Sequence, residues 1–270
     1  MRIRVGFSAD PDDAFMFWGL ASGTVSPRGF EFEPAIDDIQ TLNAWALEAR
    51  LEVTAMSMAT YPLVASRYKL LPHGASFGSG YGPVVVAREQ LSLDELRRRE
   101  VVVPGEGTTA YLVLRLALGG DFPHREMRFD AILPEVAEGR ADAGLLIHEG
   151  QLTYRDHGLH KCLDLGEWWL LETGLPLPLG VNTIRRDLGE KAIAEVSAIL
   201  RESIDAALAN RDEALAYALG FGRGMDAERG DRFVGMYVNE LTCDYGEEGR
   251  QAVRELLDRS GNATLVEFVE

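Results

Sequence analysis

The sequence has few cysteines and no long hydrophobic run. Its two cysteines, Cys162 and Cys243, lie far apart and outside any Cys-x-x-Cys pattern, which argues against a zinc site or a disulfide framework. No segment approaches the about 18 to 20 apolar residues that a membrane-spanning helix needs. The first residues, Met1 to Phe7, alternate charged and apolar side chains like a strand, unlike a signal peptide. We therefore expect a cytoplasmic protein without a membrane partner.

Basic residues are also scarce, since 27 Lys and Arg stand against 43 Asp and Glu and give a net charge of −16. This charge repels a phosphate backbone, so we expect no nucleic-acid partner. It does not exclude an anionic small molecule, because a local site can override the global charge. With 270 residues the chain exceeds the usual size of one domain, and we expect two lobes.

Several short apolar runs end at polar residues that could form a site. These runs predict buried strands, for example Ile3 to Phe7 and Ala143 to Ile147. In open α/β folds the carboxyl ends of the strands meet at one crevice, where ligands bind. We therefore expect the residues that follow the strands to lie together: Ser8, Ser57, Thr108, Thr109 and His148.

His148 is the best candidate for acid–base chemistry. It follows a predicted strand directly, and Glu149-Gly150 then turns the chain. An imidazole titrates near neutral pH and can exchange a proton there, although a hydrogen-bonded histidine in a turn is the alternative. Thr108 and Thr109 stand at a predicted helix N-terminus, which can hold a carboxylate or phosphate. Simple helix capping is the alternative for this pair.

The remaining polar clusters favour structural roles. Asp10, Asp12 and Asp13 could attract a divalent ion, but they lack an EF-hand pattern and helix capping is favoured. Histidines near Cys162 have no second cysteine at ligand spacing, so we expect no metal site. Four histidines are expected at the surface: His73, His124, His157 and His160.

Longer motifs extend over most of the chain. The two most specific are Ile147-His148-Glu149-Gly150 and Leu175-Pro176-Leu177-Pro178-Leu179-Gly180, and others surround Thr41 to Glu48, Gly80 to Ala87 and Tyr237 to Asn239. With these motifs the sequence resembles the 1,4-dihydroxy-6-naphthoate synthase family of the futalosine route to menaquinone. The His-Glu-Gly and Leu-Pro-Leu-Pro-Leu motifs argue against the sister enzyme, chorismate dehydratase.

The resemblance implies an α/β, two-lobed, periplasmic-binding-protein-like fold of type II. Each lobe is then a mixed, mostly parallel sheet flanked by helices, with the ligand cleft between the lobes. We expect lobe 1 to be discontinuous, with residues 1–87 and 181–270, and lobe 2 to contain residues 88–180.

The resemblance also implies a carbon–carbon lyase that converts cyclic dehypoxanthinyl futalosine, a small-molecule carboxylate, into 1,4-dihydroxy-6-naphthoate and a small sugar-derived fragment. His148 corresponds to the family's proposed general base, and no metal or organic cofactor is implied. The oligomeric state is not fixed, and a homodimer is left open. The substrate-binding positions are then Ser8, Thr54, Ala55, Met56, Ser57, Thr108, Thr109 and Ala110.

The sequence departs from the family's pattern at two places beside the expected site. Asp10, Asp12 and Ala14 stand where the family usually has Cys, Asn and Thr, and Ala55 stands where it often has Lys. Both changes disfavour a bound anion. The alternative is therefore a non-catalytic or divergent paralogue that binds a small carboxylate.

Overall fold

The computed structural model describes residues 1–221, 225–262 and 264–270. Its strands in chain order are β1 (Arg2–Ser8), β2 (Glu31–Asp37), β3 (Val53–Ser57), β4 (Tyr68–Leu70), β5 (Ser76–Gly78), β6 (Val84–Ala87), β7 (Val101–Val103), β8 (His124–Glu126), β9 (Ala143–Leu146), β10 (His160–Asp164) and β11 (Leu177–Arg185).

Helices connect the strands and form most of the last third of the chain, as the sequence predicts. Over the residues described, no helix is long and apolar enough to cross a membrane. The helices are α1 (Pro11–Ala21), α2 (Ile39–Leu47), α3 (Tyr61–Val64), α4 (Leu93–Leu96), α5 (Thr109–Leu118), α6 (Phe129–Ala137), α7 (Gly150–Thr153), α8 (Leu165–Thr173), α9 (Glu190–Ala209), α10 (Arg211–Leu219), α11 (Ala227–Tyr237), α12 (Glu240–Cys243) and α13 (Gly246–Arg259).

The strands form two mixed sheets. The first has the order β2-β1-β3-β11-β4 with β5 also paired to β11, and the second has the order β10-β6-β9-β7-β8. β1 runs parallel to β2 and β3, and β7 runs parallel to β8 and β9. β11 is antiparallel to all its neighbours, and β6 is antiparallel to both of its own. Parallel strand pairs are therefore not in the majority that the sequence predicts. The reason is that β6 and β11, the first strands after the chain passes from one sheet to the other, are antiparallel to their neighbours.

The chain crosses between the sheets after β5 and again before β11. The predicted lobe boundaries stay a proposal, and the strand pairing suggests an adjustment on each side. β6 pairs within the second sheet, whereas Leu177 pairs with Gly78 and Gly180 with Ser57 in the first. A division by sheets therefore falls before Val84 and before Leu177.

One apolar cluster joins the two sheets. Its fully or almost fully buried side chains come from both of them and include Met56, Phe77, Val85, Val103 and Val181. Packing of this kind is dense and resists shifts. The two sheets are consequently packed against one another through this cluster.

Local sequence signals set the ends of the helix that matters most for the site, α5. The hydroxyl of Thr108 accepts a hydrogen bond from the N–H of Tyr111 at 3.2 Å, which is an N-cap. Gly119 ends the helix with a left-handed φ of 74°, a conformation that glycine adopts without strain.

The segment after β3 differs from its prediction. The sequence predicts a helix from about Ala59 to Tyr68, but α3 ends at Val64 and the chain continues into β4. Tyr68 is fully buried, and its hydroxyl donates to the carbonyl of Leu51 at 2.8 Å. This segment therefore pairs with the edge of β11 as a strand, so pairing between residues distant in the chain overrides the local helix pattern.

Candidate active site

The strand ends of both sheets surround one cavity. Its empty volume, with the open solvent at its mouth included, is about 660 Å³. Its walls come from the ends of β1, β3 and β11 in the first sheet and from the segments after β7 and β9 in the second. The cavity brings together the polar residues expected at strand ends: Ser8, Ser57, Thr108, Thr109 and His148.

His148 lies two residues beyond the end of β9 and is held in a constrained conformation. Its φ is +54°, a left-handed value that costs a residue with a side chain about 1 to 2 kcal/mol. The ring of Phe129 packs edge-on against the imidazole, with 4.9 Å between the centroids. The backbone turn and this contact together aim the imidazole into the cavity, which it lines.

Asp10 orients the imidazole from the other side. Its Oδ2 lies 3.3 Å from Nδ1 of His148, and the Asp10 side chain is only 1% exposed. Nε2 of His148 is buried and has no hydrogen-bond partner among the described residues. A proton on Nδ1, facing Asp10, leaves the lone pair of Nε2 available as a base.

The acidic loop has a different role from the predicted helix capping. Asp10 occupies the N-cap position of α1, but its side chain makes no capping hydrogen bond. Asp12 and Asp13 line the cavity and are buried. Oδ2 of Asp13 accepts from the N–H of Ser8 at 2.7 Å, and Oδ2 of Asp12 accepts from the hydroxyl of Ser76 at 3.0 Å. The side chains of Asp12 and Asp13, in the first turn of α1, are thus buried and face the site.

Burial also changes the charge of this loop. It raises the pKa of Asp13 from 3.8 to about 6, although the hydrogen bond from Ser8 and the nearby His148 act in the opposite direction. Burial, together with the neighbouring Asp13 and Asp10, raises the pKa of Asp12 well above its usual value. A protonated Asp12 repels an anion less than the sequence suggests.

The N-terminus of α5 faces the cavity with its backbone. The hydroxyl of Thr109 donates to the carbonyl of Leu179 at 2.7 Å, and that of Thr108 donates to Gly105 at 2.7 Å. These hydroxyl protons are therefore already used. The N–H groups of the first helical residues, Thr109 and Ala110, have no intrahelical acceptor. Since both residues line the cavity, their N–H groups are candidate donors to an anion.

The predicted substrate-binding positions in β3 divide between the two faces of the strand. Ala55 and Ser57 line the cavity. Asn43 fixes Ser57, because its Nδ2 donates to the Ser57 hydroxyl at 3.0 Å and its Oδ1 accepts from the Ser57 N–H at 2.8 Å. Thr54 and Met56 do not line it. Met56 packs in the apolar core, and the hydroxyl of Thr54 donates to the carbonyl of Ala55. Alternation along a strand is the reason, because consecutive side chains point to opposite faces.

Several cavity residues are missing from the sequence prediction, among them Gln151, Asn182 and Tyr237. The hydroxyl of Tyr237 lies 2.6 Å from the side-chain amide of Gln151. In the Gln151 amide orientation that gives hydrogen bonds to both the oxygen and the nitrogen, the oxygen accepts from the N–H of His148 at 3.1 Å. Asn182 could have been found from its spacing, since it lies two residues beyond Gly180 in an extended segment and so shares a face with it.

His73 is buried rather than at the surface. Its side chain packs inside the fold, where Nε2 lies 3.1 Å from the hydroxyl of Ser197. Burial lowers the pKa of His73 to about 4, and Arg201 acts in the same direction. Within the described ranges, no three His, Cys, Asp or Glu side chains are arranged to hold a metal ion.

Comparisons with known proteins place the chain among relatives of one kind. A family model described as menaquinone biosynthesis matches residues 3–262. A 1,4-dihydroxy-6-naphthoate synthase from Thermus thermophilus is 46% identical over 255 residues, which are 94% of this chain and 92% of the relative. A 1,4-dihydroxy-6-naphthoate synthase from Streptomyces coelicolor is 39% identical over 269 residues, covering 98% and 94% of the two chains.

Solved structures agree with the expected fold. A protein from Archaeoglobus fulgidus with 47% identity superposes with a TM-score of 0.92 over 96% of this chain and 97% of its own. The ligand-binding component of a Staphylococcus aureus ABC-type import system, at 14% identity, gives a TM-score of 0.73 over 100% and 96%. A periplasmic aliphatic sulphonate-binding protein from Escherichia coli, at 11% identity, gives 0.62 over 95% and 87%. The predicted periplasmic-binding-protein-like fold is thereby confirmed.

Proposed function

The chain belongs to the menaquinone-biosynthesis family, and we propose that it is a carbon–carbon lyase that converts cyclic dehypoxanthinyl futalosine into 1,4-dihydroxy-6-naphthoate. The observation that carries the proposal is the pairing of His148 with Asp10 at the wall of the cavity. Nε2 of His148 is buried without a protein partner, so it can accept a proton from a substrate bound in the cavity.

In the proposed mechanism His148 is the general base. Its Nε2 accepts a proton from a hydroxyl group of the substrate, while Asp10 stabilises the imidazolium that forms. In a retro-aldol-type cleavage the oxygen that loses its proton becomes a carbonyl as the carbon–carbon bond breaks. The electron pair of that bond passes into the ring system that becomes the aromatic product.

The substrate carboxylate is assigned to the N-terminus of α5. Two N–H groups, those of Thr109 and Ala110, converge there with the positive end of the helix dipole. The hydroxyls of Thr108 and Thr109 act indirectly, because they hold the helix terminus in place. This assignment explains how a chain with a net charge of −16 can bind an anion.

The remaining contacts come from the first sheet. Ser57, fixed by Asn43, presents its hydroxyl to the cavity, and Ala55 gives space beside it. Ser8 borders the cavity next to Asp13. Of the eight substrate-binding positions expected from the sequence, Thr54 and Met56 are left out of the proposal.

Turnover of the purified protein tests the proposal. Incubation with cyclic dehypoxanthinyl futalosine should release 1,4-dihydroxy-6-naphthoate, detected by mass spectrometry. His148→Ala should lower kcat by about 10²- to 10⁴-fold, the usual contribution of a general base. His157→Ala, at an exposed histidine of the same segment, is the matched control and should keep the wild-type rate.

Two results would replace this function with another. Ligand-induced thermal stabilisation without product, unchanged in kind by His148→Ala, would favour a carboxylate-binding protein. The ligand-binding component of an ABC-type import system has the same fold. Consumption of chorismate would favour the dehydratase. Absence of product while the Thermus thermophilus relative turns over would contradict the lyase.

Location and assembly belong to the same proposal. We place the protein in the cytoplasm with the other enzymes of a biosynthetic route. A homodimer remains a prediction, and sedimentation of the purified protein at micromolar concentration would decide between one and two copies.

A further inference from the structure

Two buried oxygen atoms of the cavity have no hydrogen-bond donor among the residues described. They are Oδ1 of Asp12 and Oδ1 of Asn182. The side chains are well buried, with 7% and 4% of the residue surface exposed, and both residues line the cavity. A buried acceptor without a donor is unfavourable, so a ligand that brings donors to this place gains affinity.

The two acceptors belong to one wall of the cavity. Ser76 donates to Oδ2 of Asp12 at 3.0 Å, and Ser76 pairs with Gly180 of β11. Asn182 follows two residues later on β11, so it shares a face with Gly180. Gly74, just before Ser76, lies directly against the Asn182 amide, since an added Cβ would come within 2.3 Å of Nδ2. Asp12, Ser76 and Asn182 are consequently neighbours.

The neighbouring side chains cannot satisfy these oxygens. Asn182 pairs across the sheet with Ala55, whose methyl group has no donor. The other acidic side chains of the loop, Asp10 and Asp13, are carboxyl groups directed to His148 and to the N–H of Ser8. Ser76 already uses its hydroxyl proton on Asp12.

We propose that Asp12 and Asn182 form a subsite for the hydroxyl groups of the sugar-derived part of the substrate. A hydroxyl fits both oxygens because it brings a donor hydrogen. Burial favours the protonated form of Asp12, which can also donate to the oxygen of such a group. A carboxylate fits the Asn182 oxygen poorly, because both groups are acceptors. The substrate then spans the cavity, with its carboxylate at α5 and its hydroxyls at this wall.

This inference rests on the proposed function, and two ligands test it separately. The substrate contains the sugar-derived part, and the product 1,4-dihydroxy-6-naphthoate lacks it. Asp12→Ala and Asn182→Ala should each raise KM for cyclic dehypoxanthinyl futalosine at least tenfold, while the inhibition constant of the naphthoate stays within threefold. Asp12→Asn, which keeps an oxygen at this place, should recover most of the affinity that Asp12→Ala loses.

Asp212→Ala is the matched control, because Asp212 is also in the first turn of a helix but is exposed outside the cavity. The two test residues lie on different elements, so a folding defect in one variant leaves the other informative. Equal weakening of both ligands, or no change for either, would overturn the subsite while leaving the lyase intact. Absence of turnover by the wild-type protein would overturn the proposed function, and the subsite with it.

Discussion

At the residue scale, the site depends on polar atoms that are buried and directed to single partners. Asp10 is the clearest example, since a side chain with 1% exposure lies 3.3 Å from Nδ1 of His148. A buried carboxylate next to an imidazole fixes its tautomer and stabilises its charged form. In the proposed mechanism Asp10 is accordingly a positioning residue that acts through His148.

We predict that Asp10→Asn lowers kcat by about 10²-fold or more, because a misdirected imidazole cannot accept the proton. KM should change less than threefold, since Asp10 does not line the cavity. Steady-state kinetics separates the two constants. A rise in KM with an unchanged kcat would mean that Asp10 shapes the pocket and does not position the base.

Asp13 gives a prediction for stability against pH. Its pKa is raised from 3.8 to about 6 in the folded protein. Between these values the folded state keeps a proton that the unfolded state has lost, so the stability contribution of Asp13 falls as pH rises. Asn cannot ionise, and Asp13→Asn should therefore stabilise the protein above pH 6 by on the order of 3 kcal/mol.

Chemical denaturation across the pH range checks this. The stability gain of Asp13→Asn should grow from about pH 4 to about pH 6 and stay constant above. Asp212→Asn, at an exposed position, should show a difference that does not vary over the same range. A pH-independent gain for Asp13→Asn would contradict the assigned cause, which is burial of an ionisable carboxyl.

At the element scale, helix α5 combines stability with binding. Thr108 caps it with a hydroxyl that accepts from Tyr111 and donates to Gly105. Thr108→Ala should cost about 1 kcal/mol of unfolding free energy. It should also raise KM, because the N–H groups at this terminus are then less well ordered.

Ser92 offers a matched comparison for this prediction. It caps α4 in a capping box with Glu95, on an exposed surface outside the cavity. Ser92→Ala should cost a similar free energy of unfolding, measured by denaturation, and leave KM unchanged. If both variants changed KM equally, the effect of Thr108→Ala would be general destabilisation and would not come from the binding terminus.

Strand β11 is the element that joins the parts of the site. It carries Asn182 into the cavity, and the carbonyl of Leu179 just before Gly180 holds the hydroxyl of Thr109. Its antiparallel pairing with β3 sets Asn182 opposite Ala55 and Gly180 opposite Ser57. One strand therefore positions residues of both the proposed carboxylate site at α5 and the proposed hydroxyl site at Asp12 and Asn182.

At the scale of the whole molecule, a hydrogen bond closes the cavity between segments attached to different sheets. Tyr237 ends α11, which packs on α1, α10 and β5 of the first sheet, and Gln151 lies in α7, which follows β9 of the second. The Tyr237 hydroxyl is 2.6 Å from the Gln151 amide. Burial raises the pKa of Tyr237, so the hydroxyl keeps its proton at neutral pH.

We predict that Tyr237→Phe weakens substrate binding about three- to tenfold, since one net hydrogen bond contributes about 0.5 to 1.5 kcal/mol. Titration of the substrate into an inactive His148→Ala background measures the dissociation constant, and X-ray scattering measures whether the molecule opens. Tyr217→Phe, a half-buried tyrosine of α10 outside the cavity, is the control. Unchanged affinity in Tyr237→Phe would show that the contact does not contribute to closure.

The sequence by itself determined the class of fold and predicted which strand-end residues lie together around one cavity. Apolar runs that end at Ser8, Ser57 and His148 are local signals, and the carboxyl ends of neighbouring strands must meet at an edge. The resemblance in the His-Glu-Gly and Leu-Pro-Leu-Pro-Leu motifs led to the family that the comparisons confirm. These features could be predicted from the sequence because they depend on residues close together in the chain.

Only the tertiary structure decided which atoms are available to a ligand. Asp10 and Asp12 look like helix caps in the sequence, but packing buries them against His148 and Ser76. Alternation in β3, whose register is set by its neighbours, turns Thr54 and Met56 away from the cavity. Burial and long-range hydrogen bonds depend on residues distant in the chain, so no local pattern records them.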